Sequence, residues 1–414
     1  MPDPSPPISD PAPGPSPGTP AAAGGVALTR NHYVALDGLR GLAILAVIGY
    51  HFCLAHPGFR GHGNGPFLQL GQAGWMGVDL FFVLSGFLIT GILLETRTQA
   101  NYFRNFLARR FLRIWPLYYL TLVGLLLVVP AIVPSVPPEV ASMQAKQSWF
   151  WLYGANWLFA REGGFSQTSG GYFWSLAVEE QFYVLWPLIV WLVSSRTLLV
   201  IAAALFVFAL LARIVLAAHG VPLGALYTMT FTHWDGLAVG SILALGAESP
   251  ALGARIRRWL PGVALAAAAG LVAVRLADGD FFFWSRQMSV YGFSLLALLG
   301  GALLAYVLAG AAGSRRARLF SNGFMRQAGK YSYALYLLHV PIVSATYPVV
   351  FRLLGAPAAG WRYELVFLGA SGVAFAASWL GAFASWNLIE KHILSLKRYF
   401  EYDGAARSAP GSAR

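Results

Sequence analysis

The sequence predicts an all-α polytopic membrane protein, a bundle of about ten transmembrane helices with both termini in the cytoplasm. Three observations predict it. Of 414 residues, 57% are hydrophobic and only 11% are charged, where a soluble globular chain carries about a quarter charged residues. Such a chain cannot cover a water-facing surface. Apolar runs near 20 residues recur along it, the length at which a helix rising about 1.5 Å per residue crosses about 30 Å of hydrocarbon. Finally, the 29 basic residues fall unevenly on alternate loops.

Residues 1–32 hold nine prolines in their first 20 positions and no basic n-region. They are expected to form a disordered Pro/Ala/Gly-rich tail, not a cleavable signal peptide. The transmembrane domain is expected over 33–395, with spans at 34–54, 76–95, 112–133, 176–194, 198–218, 229–247, 259–276, 290–311, 331–351 and 365–388. His233 and Asp235 interrupt the sixth, and QSWFWLYGANWLFA (147–160) has the composition of a short or re-entrant helix. A short polar tail, 396–414, is expected to follow. The single cysteine, Cys53, excludes an intramolecular disulfide and a cysteine-based metal cluster.

Lys and Arg accumulate in cytoplasmic loops. With the N-terminus inside, 20 of the 29 basic residues fall on inner segments and seven on outer ones, while Arg40 and Arg213 lie within spans. The split supports an even number of spans and a multi-pass protein of the cytoplasmic (inner) membrane. The net charge of +12 is thus first a matter of topology, and second of affinity for anionic lipid or a phosphorylated ligand. Nucleic acid is not an expected partner, because the cations are dispersed among loops with no soluble domain to present them.

An ionisable group placed mid-span costs at least about 2.5–3.5 kcal/mol, so each is a candidate functional group. LDGLRGLAILAVIGYHF (36–52) places Asp37, Arg40 and His51 on one side of a helix. Eleven steps of about 100° return within about 20° of the start, so Arg40 and His51 share a face roughly 16 Å apart. In GWMGVDLFFVLSGFLITGILL (74–94), Asp79 is the one charge and lies at the depth of His51, an available partner; Ser85 and Gly86 follow near mid-membrane. YFRNFLARRFLRIWPLYYL (102–120) clusters Arg109, Arg110 and Arg113 at a helix mouth. This is either a membrane anchor or a phosphate clamp, since guanidinium groups grip phosphate in a bidentate fork. GYFWSLAVEEQFYVLWP (171–187) places Glu179 and Glu180 level with His51; pointing about 100° apart, at most one is expected to face the polar centre. In GKYSYALYLLHVPIV (329–343), Ser332, Tyr336 and His339 make a second polar stripe. The eight histidines show no ligand-like pairing on a helix, so no metal is expected.

Arg40, Arg110 and Arg113 thereby define an expected phosphate site at the cytoplasmic mouth. His51, Asp79 and one of Glu179 or Glu180 define an expected proton-transfer site in the outer half. That separation suits a long thioester donor threading in from the cytoplasm towards an acceptor nearer the far side.

These segments resemble the acyltransferase 3 family of integral membrane O-acyltransferases. The resemblance rests on LDGLRGLAILAVIGYHF, GVDLFFVLSGFLIT, RRFLRIWPLYY, FWSLAVEEQFYVLWP, YSYALYLLHVP and the terminal IEK at 389–391, in order over nearly all of the membrane region. It implies a ten-helix bundle that moves an acyl group, usually acetyl, from cytoplasmic acyl-coenzyme A (acyl-CoA, here acetyl-CoA) as co-substrate, with no permanently bound cofactor. The acceptor it implies is a hydroxyl of a carbohydrate, a lipid-linked glycan or, in some members, a macrolide or other small metabolite. Three departures stand out. His233 replaces the Arg that many relatives carry before the acidic residue of the sixth span, and His392 stands where Pro often follows the terminal Glu. No appended extracytoplasmic esterase-like domain is expected after the last span.

The expected roles are then phosphate binding by Arg40, Arg110 and Arg113, and general-base catalysis by His51 oriented by Asp79 or Glu179. Acylation of His51 itself is the other course the residues allow. Glu180, Tyr336 and His339 are expected to line a substrate path. A proton-coupled transporter or flippase is the rival class; the absence of an internal repeat between chain halves and the clustering of charges at two depths count against it.

Overall fold

A computed structural model describes residues 34–56, 71–165, 170–310, 314–355 and 360–402. The expected tail 1–32 and residues 403–414 of the expected polar tail lie outside them. Among the described residues there is no strand, and ten helices reach 15 residues or more. They are α1 (Val34–Leu54), α2 (Gly77–Thr96), α3 (Tyr102–Val123), α4 (Phe173–Leu192), α5 (Ser195–Ala218), α6 (Trp234–Glu248), α7 (Pro250–Asp278), α8 (Phe293–Leu308), α9 (Ser332–Leu354) and α10 (Trp361–Ser385). Eight helical segments are long and apolar enough to cross a membrane. The other two long helices fall short because α4 carries Glu179 and Glu180 and α6 has only 15 residues. The chain is an all-α, multi-pass membrane protein.

Periodicity explains which faces meet. On α1, Leu36, Leu39, Ala43, Ile44, Val47 and Ile48 are buried, a spacing of three and four that turns one stripe of the helix inward. On α5 and α7 the outward faces remain apolar: Val200, Val207, Leu211 and Val215 on one, Leu265, Val272 and Leu276 on the other. In water such surface would drive association; in a bilayer it meets acyl chains.

The centre is α2, which packs closely against α6 and also against α1, α4 and α8. Small residues bring α2 and α6 together. A Cβ on Gly86 would strike the Leu237 carbonyl, and one on Gly240 would strike the Val83 carbonyl, so the two backbones approach as in small-residue helix pairs in membranes.

Several boundaries differ from the expected spans. The third helix begins at Tyr102, ten residues earlier than expected, and runs through a π-helical turn, Gly124–Val128, to Ile132. The sixth is entered through a 3₁₀ turn, Thr230–His233, which absorbs the polar interruption. Between α3 and α4, the 147–160 stretch forms two short helices, Gln147–Trp151 and Ala155–Glu162, preceded by Pro138–Ala145. Tyr153 joins the pair at φ +52°, a left-handed conformation uncommon for a residue with a side chain. After α10 the chain continues through a π-helical turn, Trp386–Glu390, into Lys391–Ser395 and Leu396–Phe400, which lie against α3. The described part of the expected polar tail is thus packed on the bundle.

Candidate active site

Near the Arg40 end of α1, helices α1, α2, α3, α4 and α9 line an open cavity of about 100 Å³. Its polar lining is Arg40, Ser85, Arg110, Arg113, Ser175, Glu179, Glu180, Tyr183, Ser332, Tyr333 and Tyr336. A second cavity of about 360 Å³ shares Arg40, Arg110 and Arg113 and adds Asp37, Arg109, Lys330 and Lys397. The wall of the larger one thus carries six cations and one carboxylate among the described residues. Three arginines expected from their shared depth to face one place do so, Arg40 from α1 and the other two from α3.

Local contacts aim these guanidinium groups. Arg40 lies 3.9 Å from Asp37, one turn back on α1. Arg113 Nη1 lies 3.7 Å from Glu390 Oε2, in the π-helical turn after α10, and Glu390 also accepts from Ser385 Oγ at 3.0 Å. Arg110 sits between the rings of Phe106 and Tyr183, 5.7 Å from each centroid. Arg109 has a structural role. Its Nη1 donates to the carbonyls of Lys397 at 3.3 Å and Phe400 at 3.2 Å, holding the segment after α10 along α3. A concave site with surplus guanidinium and ammonium groups is built for an anion with several oxygens.

Both adjacent carboxylates of α4 line the smaller cavity, where at most one is expected from the sequence to face the polar centre. The cavity spans the groove between α2 and α3, so side chains about 100° apart both reach it. Glu179 turns to α2 and accepts from Ser85 Oγ at 2.6 Å, with Tyr183 donating to the same hydroxyl at 3.1 Å. Glu180 turns to α3 and accepts from Trp115 Nε1 at 3.1 Å through Oε2, while its buried Oε1 has no hydrogen-bond partner. Both therefore belong with the arginines. The expected placement of Glu179 beside His51 is corrected: Glu179 sits seven residues into α4 and meets Ser85, well inside α2.

His51 stands near the far end of α1. Its Nδ1 lies 2.9 Å from the Val47 carbonyl and 3.2 Å from Nε2 of His339; the two rings are 4.8 Å apart and nearly perpendicular. His339 Nδ1 in turn lies 2.8 Å from the Leu335 carbonyl. The expected orientation of His51 by Asp79 is also corrected. Asp79 lies on the side of α2 towards α6, and its Oδ1 is 3.8 Å from His233 Nδ1.

The polar stripe of α9 connects the two regions. Ser332 and Tyr336 line the arginine cavity. The Tyr336 hydroxyl contacts Ser175 Oγ at 2.6 Å and donates to the Tyr172 carbonyl at 2.9 Å. His339, less than a turn further on, reaches His51. The polar groups of α9 thus lie between the cations and the imidazole pair, with the rings of Tyr336 and His339 6.0 Å apart.

Lys330, Glu390 and Lys397 at the site, and the buried Arg213 outside both cavities, are not among the site residues that the sequence singles out. Glu390 stands in the terminal IEK, but its pairing with Arg113 depends on the fold. Lys397 falls in the expected tail. Arg213 carries a signal, an arginine inside an apolar span, to which the sequence attaches no role. It is fully buried and donates to Asp235 Oδ2 at 2.8 Å, Ser294 Oγ at 2.6 Å, the Val290 carbonyl at 3.0 Å and the Thr232 carbonyl. The cation missing beside Asp235, where His233 stands, is supplied by α5.

Residues 33–383 match the family model of an acyltransferase domain. Peptidoglycan O-acetyltransferase OatA of Listeria monocytogenes is 29% identical over 349 residues, 78% of this chain and 51% of that protein. The putative peptidoglycan O-acetyltransferase YrhL of Bacillus subtilis is 30% identical over 342 residues, 78% of this chain and 50% of that protein. O-acetyltransferase OatA of Staphylococcus aureus is 29% identical over 324 residues, 74% of this chain and 50% of that protein. The chain spans about half the length of the curated relatives it matches. No solved structure gives a significant match. The helical bundle, the motifs at the arginine cavity and the matched span from α1 into α10 agree, and the chain belongs to the acyltransferase 3 family.

Proposed function

We propose that the protein is an O-acetyltransferase that takes the acetyl group of acetyl-CoA at the cytoplasmic face of the cell membrane and places it on a glycan hydroxyl. The observation that supports this most directly is the convergence of Arg40, Arg110 and Arg113 on one cavity whose polar lining leads towards His51. The arginines, with Lys330 and Lys397, would hold the phosphates of the donor. A pantetheine arm would extend along the cavity floor, since eleven residues of α1 separate Arg40 from His51 by about 16 Å. The glycan reading of the acceptor draws on the peptidoglycan named in the relatives of L. monocytogenes and B. subtilis.

The hydrogen bonds of His51 suit it to act as a base. An Nδ1–H directed at the Val47 carbonyl leaves the lone pair on Nε2. Nε2 would take the proton of the acceptor hydroxyl as that oxygen bonds to the thioester carbonyl carbon. The carbon–sulfur bond then breaks, the sulfur leaves with its electron pair, and the imidazolium returns the proton to it.

The test is transfer of radiolabel from acetyl-CoA to extractable glycan in inside-out membrane vesicles, comparing wild type with His51→Ala at matched expression. Labelling is expected in the wild type and lost in the variant. Equal labelling in both would remove His51 from the chemistry, and none in either would count against acetyl-CoA as donor.

A further inference from the structure

We infer that His339 is a positioning residue for His51, so that the base is oriented by a second imidazole and not by a carboxylate. The inference rests on the proposed role of His51. Helical geometry sets it up. Each histidine directs Nδ1 at the carbonyl four residues back, Val47 for His51 and Leu335 for His339, at 2.9 and 2.8 Å. Since a carbonyl only accepts, both Nδ1 atoms carry hydrogen and both Nε2 atoms carry lone pairs. His339 Nε2 then needs a donor, and the one it meets is His51 Nδ1–H at 3.2 Å. The proton of His51 Nδ1 is shared between a backbone carbonyl and a neutral imidazole, which fixes the tautomer and leaves Nε2 as the basic nitrogen.

His339 is itself held firmly. Its side chain is fully buried, its Nδ1 is tied to α9, and the rings of Tyr172 and Tyr336 lie 6.2 and 6.0 Å from it. The Tyr50 ring meets His51 edge-on at 5.2 Å. Asp79, the carboxylate expected here, faces His233 at 3.8 Å on the side of α2 towards α6, and Glu179 accepts from Ser85. When His51 takes a proton on Nε2, its Nδ1–H bond to His339 becomes charge-assisted and strengthens. The stabilisation is thus larger after proton transfer than before it, which is the condition for accelerating the step. A neutral partner does this without placing a second charge in the membrane interior.

The experiment compares His339→Gln with His339→Asn, alongside His51→Ala, as purified protein in detergent micelles. Glutamine carries its terminal oxygen near the position of Nε2 and keeps an acceptor for His51; asparagine ends near Nδ1 and withdraws it. His339→Asn is expected to lower kcat by about tenfold, the loss of one hydrogen bond to a charged group. Its KM for acetyl-CoA and its thermal midpoint are expected to match those of His339→Gln, and the glutamine variant to keep most of the wild-type kcat. Equal kcat in both variants, whether both near wild type or both low, would overturn the inference, because the acceptor at Nε2 would then be irrelevant. An active His51→Ala would instead overturn the underlying role of His51.

Discussion

Arg213 Nη2 and Asp235 Oδ2 meet at 2.8 Å with both side chains buried, joining α5 to α6 behind the face of α2 that carries Asp79. The guanidinium also bonds two backbone carbonyls and Ser294, so four of its five N–H donors are spent on protein, and it lines neither cavity. This cation ties α5 to α6 and α8. Arg213→Leu would strand the Asp235 charge and is expected to cost about 3–5 kcal/mol. The double variant Arg213→Leu/Asp235→Leu should recover much of that loss. Thermal unfolding of the purified protein in detergent checks both, and a double variant no better than the single one would contradict the pairing.

Arg113 reaches the cavity with Glu390 at its back. A lysine there keeps the charge but loses the planar fork that matches a phosphate. Arg113→Lys is therefore expected to raise KM for acetyl-CoA about tenfold, equivalent to about 1.4 kcal/mol, and to leave kcat nearly unchanged. Steady-state kinetics over a range of donor concentrations separates the two. A fall in kcat at constant KM would place Arg113 in the chemistry instead.

Gly240 allows α6 to touch α2 at the Val83 carbonyl. A methyl group there has nowhere to go but into the backbone of α2. Gly240→Ala is expected to destabilise the protein by about 1–3 kcal/mol, measured as a lower thermal midpoint. Since α2 carries Ser85 and Asp79, activity should fall with it. An unchanged midpoint would show that the two helices can slide apart at no cost.

Residues that a single helix arranges are legible in the sequence. Arg40 with His51, Arg110 with Arg113, and Ser332 with Tyr336 and His339 each follow from about 100° per residue, and each group is found on a common face. What local period cannot encode is which helix stands opposite. Depth alone pairs Asp79 with His51, yet the small residues that seat α2 on α6 turn it to His233. The angular separation of Glu179 and Glu180 admits only one of them if the cavity is a point, and the cavity is a groove between α2 and α3. Glu390 and Lys397 come from the segment after α10, whose return to α3 depends on Arg109 and Asn105 holding its carbonyls, contacts no periodic pattern announces.

That returning segment has a consequence for the order in which the protein is made. Asn105 Nδ2 donates to the Glu401 carbonyl at 2.8 Å, and Arg109 clasps Lys397 and Phe400, so the floor of the larger cavity is laid by residues that leave the ribosome after all ten long helices. Arg40, Arg110 and Arg113 would be in the membrane long before then, as a cluster of like charges with neither Glu390 nor Lys397 in place. A nascent chain stalled after α10 would hold the imidazole pair and the three arginines around an open mouth. Competence to retain a donor would arrive only once that segment has docked, and a fusion partner attached close behind Tyr402 would sit at the rim of that pocket.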